Sequence, residues 1–140
     1  MTFTFARRMT IAAIMFLVCL AAACTGRTVQ NATKSTVEGL VRDISCAIQN
    51  PRATAMNLNM QCTLECARNG AALIILTKDG ALYVPMSNAT PDKDERSQLM
   101  PFVGKYVKAT GTVYEKSGTR AIAIDEIVEM KDVHLVTDAQ

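Results

Sequence analysis

The sequence predicts a mainly β (α+β) domain in which five strands form a small barrel. Two pairs of strand-like segments are each joined by a turn that contains glycine, and apolar residues alternate along the second pair. A long segment before them carries apolar residues at both alternating positions, a pattern typical of a strand buried on both faces. The chain has 140 residues, enough for one domain with a modest core.

Residues 1–23 have the features of a signal peptide. Arg7 and Arg8 form a basic start, residues 11–20 form an apolar segment, and three alanines precede Cys24. The apolar run is shorter than the roughly 20 residues that a membrane-spanning helix needs. We therefore expect residues 1–23 to be removed during export.

The residues at the expected cleavage site carry a second signal. Leu20-Ala21-Ala22-Ala23-Cys24 resembles the lipobox of bacterial lipoproteins, although its leucine lies four residues before the cysteine and not three. The resemblance implies a diacylglycerol anchor on Cys24, a lipidated, flexible tether over residues 24–35, and a location in the bacterial cell envelope, facing the periplasm. A cut after an ordinary Ala-x-Ala site would instead leave Cys24 free or disulfide-bonded.

Charge and aromatic content argue against a nucleic-acid partner. Without Arg7 and Arg8, the 15 basic residues become 13, equal to the 13 acidic residues. Nucleic-acid-binding proteins usually carry a basic face that contacts phosphates. Few aromatic residues are left to stack on bases once the signal peptide is removed. We therefore expect a membrane contact through the anchor and an envelope protein or small ligand as partner, not DNA or RNA.

The folded domain is predicted to begin with a long first strand over residues 36–48. Gly39 within it permits a bulge or a sharp bend. Asn50-Pro51 ends this strand. A helix is predicted over residues 57–69, with Asn57 as its N-cap and Asn69-Gly70 as its left-handed stop.

Four further strands and a short helix are predicted downstream. Lys78-Asp79-Gly80 and Lys116-Ser117-Gly118 are typical hairpin turns, because glycine readily takes positive φ angles. Acidic residues at the start of the short helix stabilise it, because the helix dipole is positive at the N-terminus. The predicted segments are strands at 71–77, 81–86, 104–115 and 119–130, and a helix at 92–100.

The order of these elements resembles an OB-fold, a five-stranded barrel with a helix between strands 3 and 4. Gly104-Lys-x-Val-x-x-x-Gly-Thr-Val, followed by a turn and Ile-Ala-Ile, is similar to the last two strands of OB-like domains in bacterial exported proteins. The resemblance implies an OB-like domain over residues 36–130, with the cysteine-bearing helix inserted between strands 1 and 2. Residues 131–140 are left as a C-terminal tail.

Three cysteines remain after the signal peptide and Cys24 are set aside. Cys62 and Cys66 lie four residues apart on one predicted helix face, with Cβ atoms about 6 Å apart. Together with Cys46 they can hold a soft metal ion, either Cu(I) or, with a fourth ligand such as His134, Zn²⁺. The alternative is a disulfide from Cys46 to Cys62 or Cys66, which would stabilise the fold by roughly 2–4 kcal/mol.

The residues around these cysteines carry a further resemblance. Asp43-x-x-Cys46, Cys62-x-x-x-Cys66 and Lys78-Asp79-Gly80 are similar to a family of small bacterial exported proteins in which a histidine commonly precedes the first helical cysteine by three residues. Asn59 occupies that position here. We expect Asp43, Asn59 and Glu65 to surround the site without binding the ion directly. No motif for an enzyme is present, so a non-enzymatic module is expected.

Overall fold

The computed structural model of the protein describes residues 32–137. Within this range the chain forms seven strands, three short helices and one 3₁₀ turn, Met100–Phe102. The strands are β1 (Ala32–Asp43), β2 (Asn57–Leu58), β3 (Leu73–Thr77), β4 (Leu82–Pro85), β5 (Tyr106–Lys116), β6 (Thr119–Glu129) and β7 (Val136–Thr137). The helices are α1 (Ile44–Gln49), α2 (Met60–Arg68) and α3 (Arg96–Leu99).

Five of the strands form a closed barrel in the order β1-β3-β4-β6-β5. The strand β1 closes it, because its first part pairs with β5 and its last part with β3, both antiparallel. The strands β4 and β6 pair in parallel, and the remaining neighbours are antiparallel. This closed, mainly β architecture with a few short helices confirms the predicted OB-like α+β fold.

The barrel closes at a glycine. Gly39 lies opposite Thr77 of β3 and Val107 of β5 at the same time. A Cβ atom at this position would lie 2.4 Å from the backbone oxygen of Leu76, closer than any real contact. The two neighbouring strands therefore require glycine at this position of β1.

Two hydrophobic clusters lie on opposite faces of β1 and β3. The inner cluster fills the barrel, and its aliphatic strand residues are called the barrel wall here. They are Val37, Val41, Leu73, Ile75, Val107 and Ile122. The outer cluster includes Leu40, Ile74 and Leu76 and is covered by the segment between β1 and α2 and by the C-terminal tail. Burial of both faces of β1 agrees with the apolar pattern of its sequence.

The first strand differs from its predicted bounds at both ends. It begins at Ala32, so residues 32–35 of the expected tether belong to the barrel. It ends at Asp43, whose side chain accepts a hydrogen bond from the backbone N–H of Cys46 and so begins α1. Cys46 consequently lies in a helix and not at the end of a strand, which corrects the predicted strand over residues 36–48.

The inserted helix α2 is confirmed, but its N-cap lies two residues later than predicted. Asn59 is its N-cap. Asn57 instead belongs to β2, and its side chain accepts from Thr54 and donates to the carbonyl of Arg52. The helix ends as expected at Asn69, and Gly70 has a φ of 89°.

Residues 133–137 of the C-terminal tail contact the domain. Val136 and Thr137 of β7 pair in parallel with Asn57 and Leu58 of β2. The segment that contains the predicted signal peptide, and Cys24 with it, lies outside the described residues. Between residues 32 and 137, no helix combines the length and apolar character needed to cross a membrane.

Candidate metal centre

Two matched helix starts place the first two cysteines. Asp43 Oδ1 accepts a hydrogen bond from Cys46 N at 2.7 Å, and Asn59 Oδ1 accepts one from Cys62 N at 2.9 Å. In both helices the cysteine therefore lies three residues after the capping residue, in the first turn. The repeated pattern Asx-x-x-Cys fixes the backbone of each cysteine relative to its own cap.

The position of α2 brings the two helix starts together. This helix lies at the end of the barrel where β1 ends and β3 begins, and its buried Ala67 joins the inner hydrophobic cluster. Arg96 donates from Nε to the carbonyl of Ala71 at 3.2 Å and from Nη2 to the carbonyl of Ala67. A cation at the carbonyl end of α2 is favourable, because the helix dipole is negative there.

The three sulfur atoms form one group, called the cysteine cluster here: Cys46, Cys62 and Cys66. Their Sγ atoms all lie within 4.8 Å of one another. The Sγ atoms of Cys46 and Cys62 are 3.8 Å apart, and all three thiols are free and half-buried. Two sulfurs bound at about 2.3 Å to one tetrahedral zinc ion lie about 3.8 Å apart. The observed separation therefore suits a shared metal ion.

The environment of the cluster favours the protonated thiols when no ion is bound. Burial is the largest cause of the raised pKa of Cys46, about 12, and contacts with Asp43 and Cys62 raise it further. Burial, followed by the negative charge of Asp43 and then by Cys62, also raises the pKa of Cys66. A cation would reverse this balance, because it stabilises thiolates and neutralises their mutual repulsion.

Asp43 is a fully buried carboxylate beside the cluster, with 0% of its surface exposed. Its Oδ1 atom is occupied by the N–H of Cys46. Its Oδ2 atom is buried and has no hydrogen-bond partner among the described residues. A buried carboxylate oxygen without a partner is costly, so it identifies a place where a bound cation or proton would be stabilising.

The other residues named from the sequence lie in different settings. Asn59 reaches the site through the backbone of Cys62. Glu65 is exposed and accepts a hydrogen bond from Gln61 Nε2 at 3.1 Å, one helical turn away. His134 is exposed in the tail and does not belong to the group of close ligand atoms. Within residues 32–137, therefore, that group consists of the three cysteines.

The start of α1 at Asp43 was not predicted, although the sequence contains a pattern that indicates it. Asp43 and Asn59 hold equivalent positions before Cys46 and Cys62, and this repetition predicts a second helix start at Asp43. The neighbouring Arg42 is also buried, and its Nη1 atom donates to the carbonyl of Asn57 at 3.4 Å. By strand alternation Arg42 and Asp43 face opposite sides of β1.

Fold and site together define an OB-like barrel that carries a three-cysteine cluster at one end. No protein-family model, curated protein or solved structure matches the chain.

Proposed function

We propose that this protein is a membrane-tethered, non-enzymatic OB-like module of the bacterial envelope that binds a soft metal ion through Cys46, Cys62 and Cys66. The observation that carries the proposal is the mutual approach of the three sulfurs within 4.8 Å. Thiolates select soft or borderline ions such as Cu(I) and Zn²⁺.

Metal binding would also link separate parts of the fold. Cys46 belongs to α1, which follows β1, whereas Cys62 and Cys66 belong to α2. An ion shared between them would hold α2 against the end of the barrel. Because the ligands are not assembled in the unfolded chain, part of the binding free energy would stabilise the fold.

Titration of the reduced protein tests this proposal. The protein is purified from cells that express the full chain, reduced, and titrated with Zn²⁺ and separately with Cu(I) under native mass spectrometry. We expect one ion per chain, and we expect the Cys46→Ser variant to bind at least 100-fold more weakly. Failure to bind either ion stoichiometrically would remove the proposal.

A disulfide between Cys46 and Cys62 is the competing use of these residues, favoured by their 3.8 Å separation. A disulfide bond requires sulfurs about 2.05 Å apart, so the two helix starts would have to approach each other. Thiol counting on protein isolated without reductant distinguishes the two uses. If three thiols per chain become reactive when a chelator is added, the cysteines bind a metal ion. If one thiol per chain reacts both with and without the chelator, the other two form a structural disulfide.

The envelope location is supported by the N-terminal sequence pattern and by Cys24. Residues 25–31 would join a lipid on this cysteine to the start of β1. Intact mass spectrometry of the exported protein should give a chain that begins at a diacylglyceryl-modified Cys24. The Cys24→Ser variant should lose the lipid mass and leave the membrane fraction. An unmodified wild-type cysteine would contradict the proposed anchor.

A further inference from the structure

Asp43 carries a negative charge that its capping role does not need. Asn59 caps α2 with the same geometry and no charge. Asparagine and aspartate are about equally good N-caps. The carboxylate of Asp43 is nevertheless fully buried, and its Oδ2 atom has no partner among the described residues. The burial of this charge therefore calls for a second role.

No basic side chain among the described residues forms an ion pair with the carboxylate of Asp43. The four ion pairs found there all involve other carboxylates, those of Asp125, Glu129, Glu38 and Glu115. Arg42 precedes Asp43 but faces the other side of β1, where its Nη1 atom donates to the carbonyl of Asn57 and its buried Nε atom has no partner among the described residues. A cation supplied from solution is left as the natural counter-charge.

We propose that Asp43 Oδ2 is the fourth ligand of the metal centre, which makes it a Cys₃Asp site for a four-coordinate divalent ion such as Zn²⁺ and not a site for Cu(I). This inference rests on the proposed metal-binding function and deepens it. The ligands would be the three cysteine sulfurs and one oxygen of Asp43.

The local geometry places the carboxylate next to Cys46. Asp43 lies outside the group of ligand atoms that are all within 4.8 Å of one another, so its Oδ2 atom would have to move towards Cys62 and Cys66 when an ion binds. Asp43 is the N-cap of α1 and Cys46 is the third residue after it, and side chains at these two helix positions are neighbours. Oδ1 is held by the N–H of Cys46 at 2.7 Å, which leaves the lone pairs of Oδ2 for a ligand. The hydrogen bond would orient the carboxylate in the same way that outer contacts orient other metal ligands.

Charge and ligand type both favour a divalent ion. Three thiolates and one carboxylate carry four negative charges, so Zn²⁺ would leave a net charge of about −2, equal to that of a four-cysteine zinc site. A monovalent copper ion would leave about −3 in the same half-buried place. Cu(I) also prefers soft sulfur ligands, whereas Zn²⁺ accepts carboxylate oxygen beside sulfur.

Selectivity between the two ions is the first test. The Asp43→Asn variant keeps a capping oxygen and removes the charge. We expect its affinity for Zn²⁺ to fall at least about tenfold and its affinity for Cu(I) to change by no more than about threefold. The matched control is Glu65→Gln, which removes an exposed carboxylate from α2 and should change neither affinity. Equal losses for both ions, or no loss of Zn²⁺ affinity, would overturn the inference.

Ligand counting is the second test. X-ray absorption of the zinc-loaded wild-type protein should show three sulfurs at about 2.3 Å and one oxygen at about 2.0 Å. In the Asp43→Cys variant the count should change to four sulfurs, since the new thiol occupies the ligand position. If that variant shows only three sulfurs, Asp43 is not a ligand, and the proposed three-cysteine site is unaffected. Failure of the wild-type protein to bind any ion would overturn this inference and the proposed function together.

Discussion

The barrel wall consists of aliphatic side chains that are almost fully buried, whereas the cysteine cluster at its end consists of half-buried thiols next to an unpaired carboxylate oxygen. The wall is stabilised by packing and by the removal of apolar surface from water, and neither needs a ligand. The cluster combines raised thiol pKa values with a buried charge, both unfavourable without a cation. The comparison indicates that the wall maintains the fold without a ligand, whereas the cluster has a geometry that could hold a metal ion.

Truncation of the wall should have the largest effect. Ile75 has no exposed surface and lies in the inner cluster. We expect Ile75→Ala to lower the free energy of unfolding by about 2–5 kcal/mol, because it leaves a cavity that the barrel cannot close. Denaturant titration of the reduced protein measures this loss. The metal affinity of the folded variant should stay within about twofold of the wild type, and a larger change would show that the two regions are coupled.

Acidification should act on the cluster and not on the wall. The pKa of Cys46 is about 12 and that of Cys66 is also raised, so both thiols are protonated at neutral pH and must release protons when they bind an ion as thiolates. The protons released by these two thiols alone imply that metal affinity falls at least roughly 100-fold for each unit of pH decrease. Competition titrations between pH 8 and pH 6 measure this slope. A flat profile would contradict thiolate binding by these residues.

Loss of the neutral cap should have a smaller effect on stability. The Asn59→Ala variant removes the acceptor of the Cys62 N–H, so we expect the free energy of unfolding to fall by about 1 kcal/mol. The matched control is Asn59→Ser, which keeps a capping oxygen and should recover most of the loss. Thermal unfolding of both variants gives the comparison. Equal destabilisation by alanine and serine would mean that the cap itself contributes little.

An exposed ion pair on the barrel surface should have the smallest effect. Glu38 and Lys108 lie directly opposite each other on β1 and β5, with Oε1 and Nζ 2.8 Å apart. Both side chains are more than 40% exposed, so solvent screens the pair. A double-mutant cycle with alanine should give a coupling energy below about 1 kcal/mol. A coupling energy above about 2 kcal/mol would show that this exposed pair contributes much more to stability than its exposure predicts.

The barrel was predictable because its signals are local. Alternating apolar residues identify β5 and β6, and a short apolar run identifies β3. The glycines of the two hairpin turns mark the ends of these strands, and Gly80 and Gly118 do have positive φ angles. The C-terminal strand β7 gave no comparable signal, because it has two residues and pairs with a distant segment. Short, non-local pairings depend on the assembled fold.

At the end of β1 the local sequence pattern gave a wrong prediction, because the strand ends at Asp43 and a helix follows. Residues 44–48 are apolar enough to continue the strand, but the hydrogen bond from Cys46 N to Asp43 begins a helix at that point. The spacing of Cys62 and Cys66 predicted their shared helix face. The approach of Cys46 depends on the packing of α2 at the barrel end, and the unpaired state of Asp43 Oδ2 depends on burial by the whole domain.

Protection of the three thiols from alkylation by one metal ion tests the central claim most directly. The reduced protein is treated with an alkylating reagent, with and without one equivalent of Zn²⁺, and modification of each cysteine is followed by peptide mass spectrometry. Slow modification of Cys46, Cys62 and Cys66 together in the presence of the ion is the predicted result. If any one of the three reacts as fast with the ion as without it, the three sulfurs do not share a metal.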